Sequence, residues 1–107
     1  AEATGEKKAL GYYLDGRVSA VVGTHTHVQT ADEQILPQGT GYITDVGMTG
    51  PIDSVLGITP QNVITRLKTH MPTRFEVPET KCRMECVLLE LCEKTGKCNH
   101  ITRLRIE

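Results

Sequence analysis

The hydrophobic and polar positions of residues 5–23 change from a helical to a strand-like pattern. Residues 5–16 carry apolar side chains at helical spacing and end at Gly16, which predicts a surface helix. Its apolar face is assigned to Ala9, Leu10, Tyr13 and Leu14. The run VSAVVG at 18–23 shows no alternation of polar and apolar residues, as in a strand buried on both faces of a parallel or mixed sheet. A helix followed by a buried strand predicts an α/β fold.

The segment ILPQGTGYITDVGMTGP predicts strands separated by turns. A short strand, a Pro-Gln-Gly turn at 37–39 and a second strand at 41–44 follow one another. A glycine-punctuated stretch then ends at Gly50-Pro51, and we interpret it as a long loop. Loops of this length in compact domains are often functional.

A second helix is predicted after residue 58. Thr59 is placed at the N-cap and Pro60 at the first helical position, and Met71-Pro72 ends the helix. The apolar face is assigned to Val63, Ile64 and Leu67. The pattern therefore places a short amphipathic helix between two strand-rich parts of the chain.

The last third of the chain favours strands. TRFEV at 73–77 predicts one strand, while residues 82–93 and 97–106 predict a β-hairpin around a Thr95-Gly96 turn. The predicted fold is therefore α/β, with a mixed sheet and a C-terminal β-hairpin. We expect a single domain over residues 1–107, with a core in 1–78 and the hairpin in 79–107.

The composition narrows the classes of function. Of 107 residues, 38% are hydrophobic, but the chain has only one Phe, three Tyr and no Trp, which indicates a core of aliphatic side chains. Such a core buries little apolar surface in a chain of this length, so we expect a surface that contacts a partner. A net charge of -1 gives no cationic surface for nucleic acid or an anionic membrane. No apolar run approaches the roughly 20 residues of a membrane span, and AEATGEKK lacks the apolar core of a signal peptide, which predicts a cytoplasmic location.

Four cysteines lie in the last quarter of the chain: Cys82, Cys86, Cys92 and Cys98. Zinc ribbons use closer C-x2-C pairs, so this spacing is a weak metal signal. We interpret the cysteines as reduced, partly buried thiols. In one hairpin register Cys92 and Cys98 would face each other.

The candidate chemistry lies in VVGTHTHVQTAD, where His25 and His27 follow the predicted buried strand. In an extended segment, side chains at i and i+2 project to the same face, so both imidazoles could reach one ion or two adjacent ions. Ligands of open α/β sheets collect at the carboxyl ends of strands. Neutral imidazole binds zinc, iron and manganese. The alternative is a pair of solvated or capped loop histidines.

Three neighbouring polar residues could assist such a site. Thr24 and Thr26 carry hydroxyls that could hydrogen-bond the ligands or hold a phosphate oxygen. Asp45 ends the apolar stretch GYIT and could be a ligand or an orienting group, although an Asp before Val-Gly more often forms a turn with its own backbone. We interpret the remaining polar candidates as solvated or structural: Asp32, Glu33, His70 and His100.

The stretches GTHTHVQTAD and YITDVGMTGP carry a resemblance to a known family. Over residues 1 to about 77, the chain resembles the C-terminal half of bacterial YmdB-type, calcineurin-like metallophosphoesterases. The resemblance implies the C-terminal part of a four-layer α/β sandwich and a two-metal phosphodiesterase acting on cyclic nucleotides or similar phosphodiesters. It also implies that His25 and His27 are ligands, one directed to each of two divalent ions such as Fe, Mn or Zn.

The same resemblance implies that the other metal ligands come from an N-terminal half, including a histidine directly before Ala1. We therefore expect this chain to supply the His-x-His loop, to be inactive alone, and to form a homo-oligomer or pair with that half. An alternative is a single-metal binding or oligomerisation module without catalysis, in which residues 82–107 would mediate association.

Overall fold

The computed structural model describes residues 3–107, and this part of the chain is an α/β structure with two helices and six strands. The elements are α1 (Thr4–Leu14), β1 (Ala20–Val22), β2 (Gln34–Ile35), β3 (Gly41–Ile43), β4 (Thr49–Pro51), α2 (Pro60–Thr69), β5 (Cys82–Leu91) and β6 (Cys98–Ile106). The predicted α/β class is confirmed. No helix in this described part is long and apolar enough to cross a membrane.

Contacts divide the chain into two compact units. One unit contains the residues up to Met48 together with Glu85–Arg105, and the other contains Thr49–Met84 with Ile106–Glu107. Strands β5 and β6 each contribute residues to both units. The proposed core and hairpin boundary at residue 78 stays a prediction.

The first unit contains a three-stranded mixed sheet in the order β1-β3-β2. Strand β1 runs parallel to β3, with Val21 opposite Tyr42, and β2 runs antiparallel to it. Every residue of β3 is buried, so this central strand forms the core. The prediction of a mixed sheet is confirmed. The prediction that β1 is buried on both faces is wrong in the described chain, because β1 is an edge strand and Val22 is 51% exposed.

Helix α1 buries a different face from the predicted one. Leu10 and Tyr13 are largely exposed, whereas Lys7 and Gly11 are buried. The reason is a close approach to the sheet: a Cβ on Gly11 would lie 2.8 Å from the Tyr42 ring. The missing side chain lets the ring pack directly on the helix, and Lys7, one turn earlier, enters the interior on the same side.

The C-terminal β-hairpin is confirmed. At its turn, the Cys92 N–H donates to the Lys97 carbonyl over 2.9 Å, and Gly96 donates back to the Cys92 carbonyl over 2.7 Å. All four cysteines are free, and Cys98 is buried against β3, where a Cβ on Gly41 would lie 2.8 Å from its sulfur. Cys86, Cys92 and Cys98 are therefore partly or fully buried thiols, as the sequence predicts, whereas Cys82 is exposed and departs from that prediction.

Strand β4 in the second unit lies where the sequence predicted only a loop. It pairs antiparallel with the start of β5, with Thr49 opposite Met84 and Pro51 opposite Cys82. The ladder gives this glycine-rich segment a partner for its backbone groups, which local composition does not reveal.

Helix α2 has the expected start, with Thr59 at the N-cap and Pro60 in the first turn. The Thr59 hydroxyl does not cap the helix but donates to the Glu76 carbonyl over 3.0 Å. Residues 73–77 form no strand, so that prediction is wrong; the Glu76 carbonyl bonds to Thr59 instead of to a ladder. The predicted apolar face of α2 is not buried, and Leu67 is 69% exposed.

Gly23 sets the point at which the chain leaves β1. Its N–H donates to the Ile43 carbonyl over 3.1 Å, and its carbonyl accepts the Val46 N–H over 2.9 Å. A Cβ at this position would lie 1.9 Å from the carbonyl oxygen of Thr44. Only glycine therefore allows the loop that follows β1 to begin so close to the end of β3.

We expect Gly23→Ala to lower the free energy of unfolding by about 1–3 kcal/mol, because the added methyl group meets rigid backbone. Gly5→Ala is the matched control, since a Cβ there has nothing within 4 Å and the residue lies in α1. That control should leave stability unchanged or slightly raised, because alanine has the higher helix propensity and Gly5 lies in the first turn of α1. Urea unfolding measures both changes, and a Gly23→Ala chain as stable as the unmutated one would contradict the close approach.

Candidate functional site

The loop between β1 and β2 carries the two candidate ligands. His25 and His27 are exposed, while Thr26 between them is half-buried. Both histidines have positive φ, 137° for His25 and 66° for His27. The segment is therefore not extended, and the premise that the two side chains share a strand face is wrong. Such backbone conformations cost on the order of 1–3 kcal/mol each for non-glycine residues and persist only where the surroundings fix them.

Thr26 fastens the centre of this loop to the end of β3. Its backbone N–H and its hydroxyl both donate to Oδ2 of Asp45, each over 2.7 Å. Hydrogen bonds to a carboxylate are stronger than neutral ones. The peptide between the two strained histidines is thus held by two charge-assisted bonds to one atom.

Asp45 is fully buried and lies two residues after the end of β3. Its second oxygen, Oδ1, accepts the Gly47 N–H over 2.9 Å, which is the turn-forming role that the sequence favoured. The ammonium group of Lys7, itself 5% exposed, lies 3.9 Å from Oδ2 and donates to the Thr24 carbonyl over 2.8 Å. A buried ion pair therefore joins α1, the loop and β3.

The surroundings of Asp45 favour its charged form. Burial alone would raise the pKa of this carboxyl group. The opposing effect is larger and brings the pKa below its ordinary value; it comes from the N–H groups of Gly47 and Thr26, the Thr26 hydroxyl and the charge of Lys7. Asp45 is thus an acceptor at neutral pH, with hydrogen bonds to both oxygens.

A second carboxylate closes the far end of the loop. Thr30 forms two hydrogen bonds with the backbone of Asp45. Its N–H donates to the Asp45 carbonyl over 3.0 Å, and its hydroxyl accepts the Asp45 N–H over 2.9 Å. The same hydroxyl donates to Asp32 over 2.7 Å, and Asp32 also accepts the N–H and hydroxyl of Thr44. Burial raises the pKa of Asp32, but these hydrogen bonds lower it more.

The interpretation of Asp32 and Glu33 as solvated turn residues is therefore wrong. Asp32 joins the loop to β3, and Glu33 forms an ion pair with Arg103 over 2.9 Å. Sequence reasoning also missed Lys7. The Thr30-x-Asp32 spacing could have indicated a side-chain turn, but nothing in the pair Lys7-Lys8 distinguishes a buried lysine from an exposed one.

The predicted site residues occupy different positions around the loop. Thr26 and Asp45 are in direct contact, whereas the Thr24 side chain is exposed and only its carbonyl bonds to Lys7. Within residues 3–107, no three His, Cys, Asp or Glu side chains are grouped to hold a metal ion. Two imidazoles fit divalent ions of intermediate softness but supply only part of a coordination sphere.

Comparison with known proteins identifies the family of this chain. Residues 1–104 match the family described as YmdB-like protein. The chain belongs to the YmdB-like family. It is 58% identical over 106 residues to a Bacillus subtilis (strain 168) protein named 2',3'-cyclic-nucleotide 2'-phosphodiesterase, covering 99% of this chain and 40% of that protein. The resemblance inferred from GTHTHVQTAD and YITDVGMTGP is confirmed.

Solved structures share the fold over nearly all of this YmdB-like chain. A crystal structure of a hypothetical protein from Thermus thermophilus superposes with a TM-score of 0.90 at 44% identity, covering 99% of this chain and 41% of that chain. A crystal structure of a novel phosphatase from Mycoplasma pneumoniae gives a TM-score of 0.92 at 40% identity, with coverages of 99% and 38%. The chain spans about two fifths of the length of these relatives.

We expect Asp45→Asn to lower the free energy of unfolding by about 3–5 kcal/mol at neutral pH, because the Lys7 ammonium group stays buried without its counter-charge. The folded-state pKa of Asp45 lies below the ordinary value of 3.8. Its contribution is therefore present above pH 3.8 and is lost as the pH falls through the lowered value. The stability gap between the two proteins should shrink in acid.

Urea unfolding from about pH 7 to about pH 2 measures this gap. Asp53→Asn is the matched control because Asp53 is exposed, and it should leave stability nearly unchanged at every pH. An Asp45→Asn gap that stays constant into acid would show that the carboxylate charge does not stabilise the fold.

Proposed function

We propose that this chain supplies the His-x-His ligand loop of a metal-dependent phosphodiesterase acting on cyclic nucleotide-type phosphodiesters. In this proposal His25 and His27 each hold one of two divalent ions, Fe, Mn or Zn. The observation that supports this proposal is the exposed histidine pair. Both histidines have an unfavourable backbone conformation, and the buried Asp45 fixes it by accepting the N–H of Thr26 between them. Strain of this kind is found at functional sites. The name of the Bacillus relative supports the substrate class.

The roles of the chain's own residues follow from the contacts. His25 and His27 would donate imidazole nitrogens, and Thr26 would orient them through Asp45. The exposed Thr24 hydroxyl, at the start of the loop, could hydrogen-bond a phosphate oxygen of the substrate. When bound, two divalent ions would supply an activated nucleophile and stabilise the attacking and leaving oxygens of an in-line displacement.

Completion of the site requires further ligands, and we propose that they come from the rest of a family-length chain or from a second copy. The open edge of β1 supports such a partner, because an unpaired strand edge is a template for another strand. Beside it, a cavity of about 200 Å³ is lined in part by Leu10, Val22 and Tyr42. A cytoplasmic location and the lack of specific nucleic-acid binding stay predictions from the composition.

The test compares this chain alone with a hybrid that carries the remaining sequence of the Bacillus relative ahead of it. With Mn²⁺ and a chromogenic phosphodiester, we expect no measurable turnover by the chain alone and metal-dependent turnover by the hybrid. In the hybrid, His25→Ala and His27→Ala should each lower kcat/KM by about a hundredfold or more, since even losing an outer-sphere partner costs about 10–100-fold.

His100→Ala is the control, because His100 is an exposed histidine on β6, outside the loop, and its loss should leave turnover unchanged. A folded hybrid whose Mn²⁺-dependent turnover survives both histidine substitutions would overturn the proposal. Tight binding of one ion by the chain alone, without turnover in the hybrid, would favour a metal-binding module.

A further inference from the structure

The geometry points to Thr26 as the positioning residue of this loop. Its side chain would bind no ion, but by fastening the peptide between His25 and His27 to Asp45 it presets both imidazoles for metal binding. The inference rests on the proposed function, because it concerns how the same two ligands are held. It differs in its claim that their arrangement exists before any ion arrives.

The backbone around Thr26 shows why an anchor is needed. Both flanking histidines have positive φ, a conformation that non-glycine residues avoid. A free loop would relax out of this conformation, and the relation between the two imidazoles would then be lost. The N–H and hydroxyl of Thr26 oppose that relaxation with two bonds of 2.7 Å to one carboxylate oxygen.

The anchor itself is rigid. Asp45 is 0% exposed, accepts the Gly47 N–H on its other oxygen, and lies two residues after the end of the buried strand β3. Lys7 adds a contact from α1 and ties down the Thr24 carbonyl, while Thr30 pairs with the backbone of Asp45. The loop is thus fixed at its start, centre and end around one residue, with both histidine side chains left exposed.

Substitution of Thr26 can change the orientation of the His25 and His27 imidazoles without changing the net charge of the chain. Thr26→Val keeps the shape and the backbone N–H but removes the hydroxyl, which donates to Asp45 and accepts the Val28 N–H over 3.3 Å. Thr26→Ser restores the hydroxyl. Neither change alters the net charge or an imidazole, so an effect on metal binding reports the orientation of the ligands.

The experiment titrates the hybrid, which carries the remaining sequence of the Bacillus relative ahead of this chain, with Ni²⁺. This ion binds imidazole more tightly than Mn²⁺ does. Paramagnetic broadening of the imidazole C–H signals in NMR spectra reports each histidine separately, and the exposed His70 and His100 serve as internal references. We expect His25 and His27 to broaden together at low Ni²⁺. Thr26→Val should raise the Ni²⁺ concentration at the midpoint about tenfold or more, and Thr26→Ser should restore it.

Thr40→Val controls for a general loss of stability. Thr40 is 0% exposed, and its hydroxyl donates to Val18 over 2.7 Å and accepts the Gly16 N–H over 2.8 Å, just before β3 begins. This variant loses comparable buried bonds and should bind Ni²⁺ with an unchanged midpoint. An unchanged midpoint for Thr26→Val, or an equal shift for Thr40→Val, would overturn the positioning role.

Failure of the proposed function gives a different result. If His25→Ala and His27→Ala leave the Ni²⁺ titration of the hybrid unchanged, the histidine pair is not a metal site, and the proposed function fails together with the inference. If those substitutions abolish binding while Thr26→Val does not weaken it, the metal site stands and only the positioning role is wrong.

Discussion

The buried carboxylate of Asp45 is the constraint on which the candidate site at the end of the sheet depends. A charge in the protein interior is costly unless hydrogen bonds and an opposite charge replace the water it has lost. Asp45 obtains these partners from Thr26, Gly47 and Lys7, which belong to three different segments of the chain. Because the three segments meet at one carboxylate, these hydrogen bonds and the ion pair fix the position of the loop relative to α1 and the end of β3.

The backbone of this region has two unusual features: a close approach of two segments at Gly23 and positive φ at His25 and His27. Gly23 stands where a Cβ would meet the Thr44 carbonyl, so the approach of two backbones decides the residue type. His25 and His27, by contrast, have positive φ, a conformation that glycine would adopt without strain. Glycine offers no ligand atom, however, and an imidazole there requires compensating contacts nearby. Thr26 provides these contacts, which explains why strain and hydrogen bonding meet within three residues.

The sequence predicts the order of most elements but not the faces they bury. The patterns of VSAVVG and of the hairpin around Thr95-Gly96 correctly indicate strands, because uninterrupted apolar runs and turn residues are local signals. Helical periodicity placed Leu10 inside, yet Gly11 is what meets the Tyr42 ring. That choice depends on a distant strand. Residues 73–77 have β-forming side chains but no strand partner, and propensity alone does not make a strand.

The site and the fold of the first unit share the same groups. Its buried apolar residues include Tyr42 and Ile43 on β3, and the polar residues Thr44 and Asp45 that follow that strand are equally buried. Tyr42 itself reaches Thr44 with its hydroxyl over 3.0 Å, and Thr44 bonds to Asp32. Because hydrogen bonds that fix the loop also close the sheet, loosening one loosens the other. Any ion held by His25 and His27 would therefore bind the folded chain in preference to the unfolded one, so its binding energy would add to the stability of the unit.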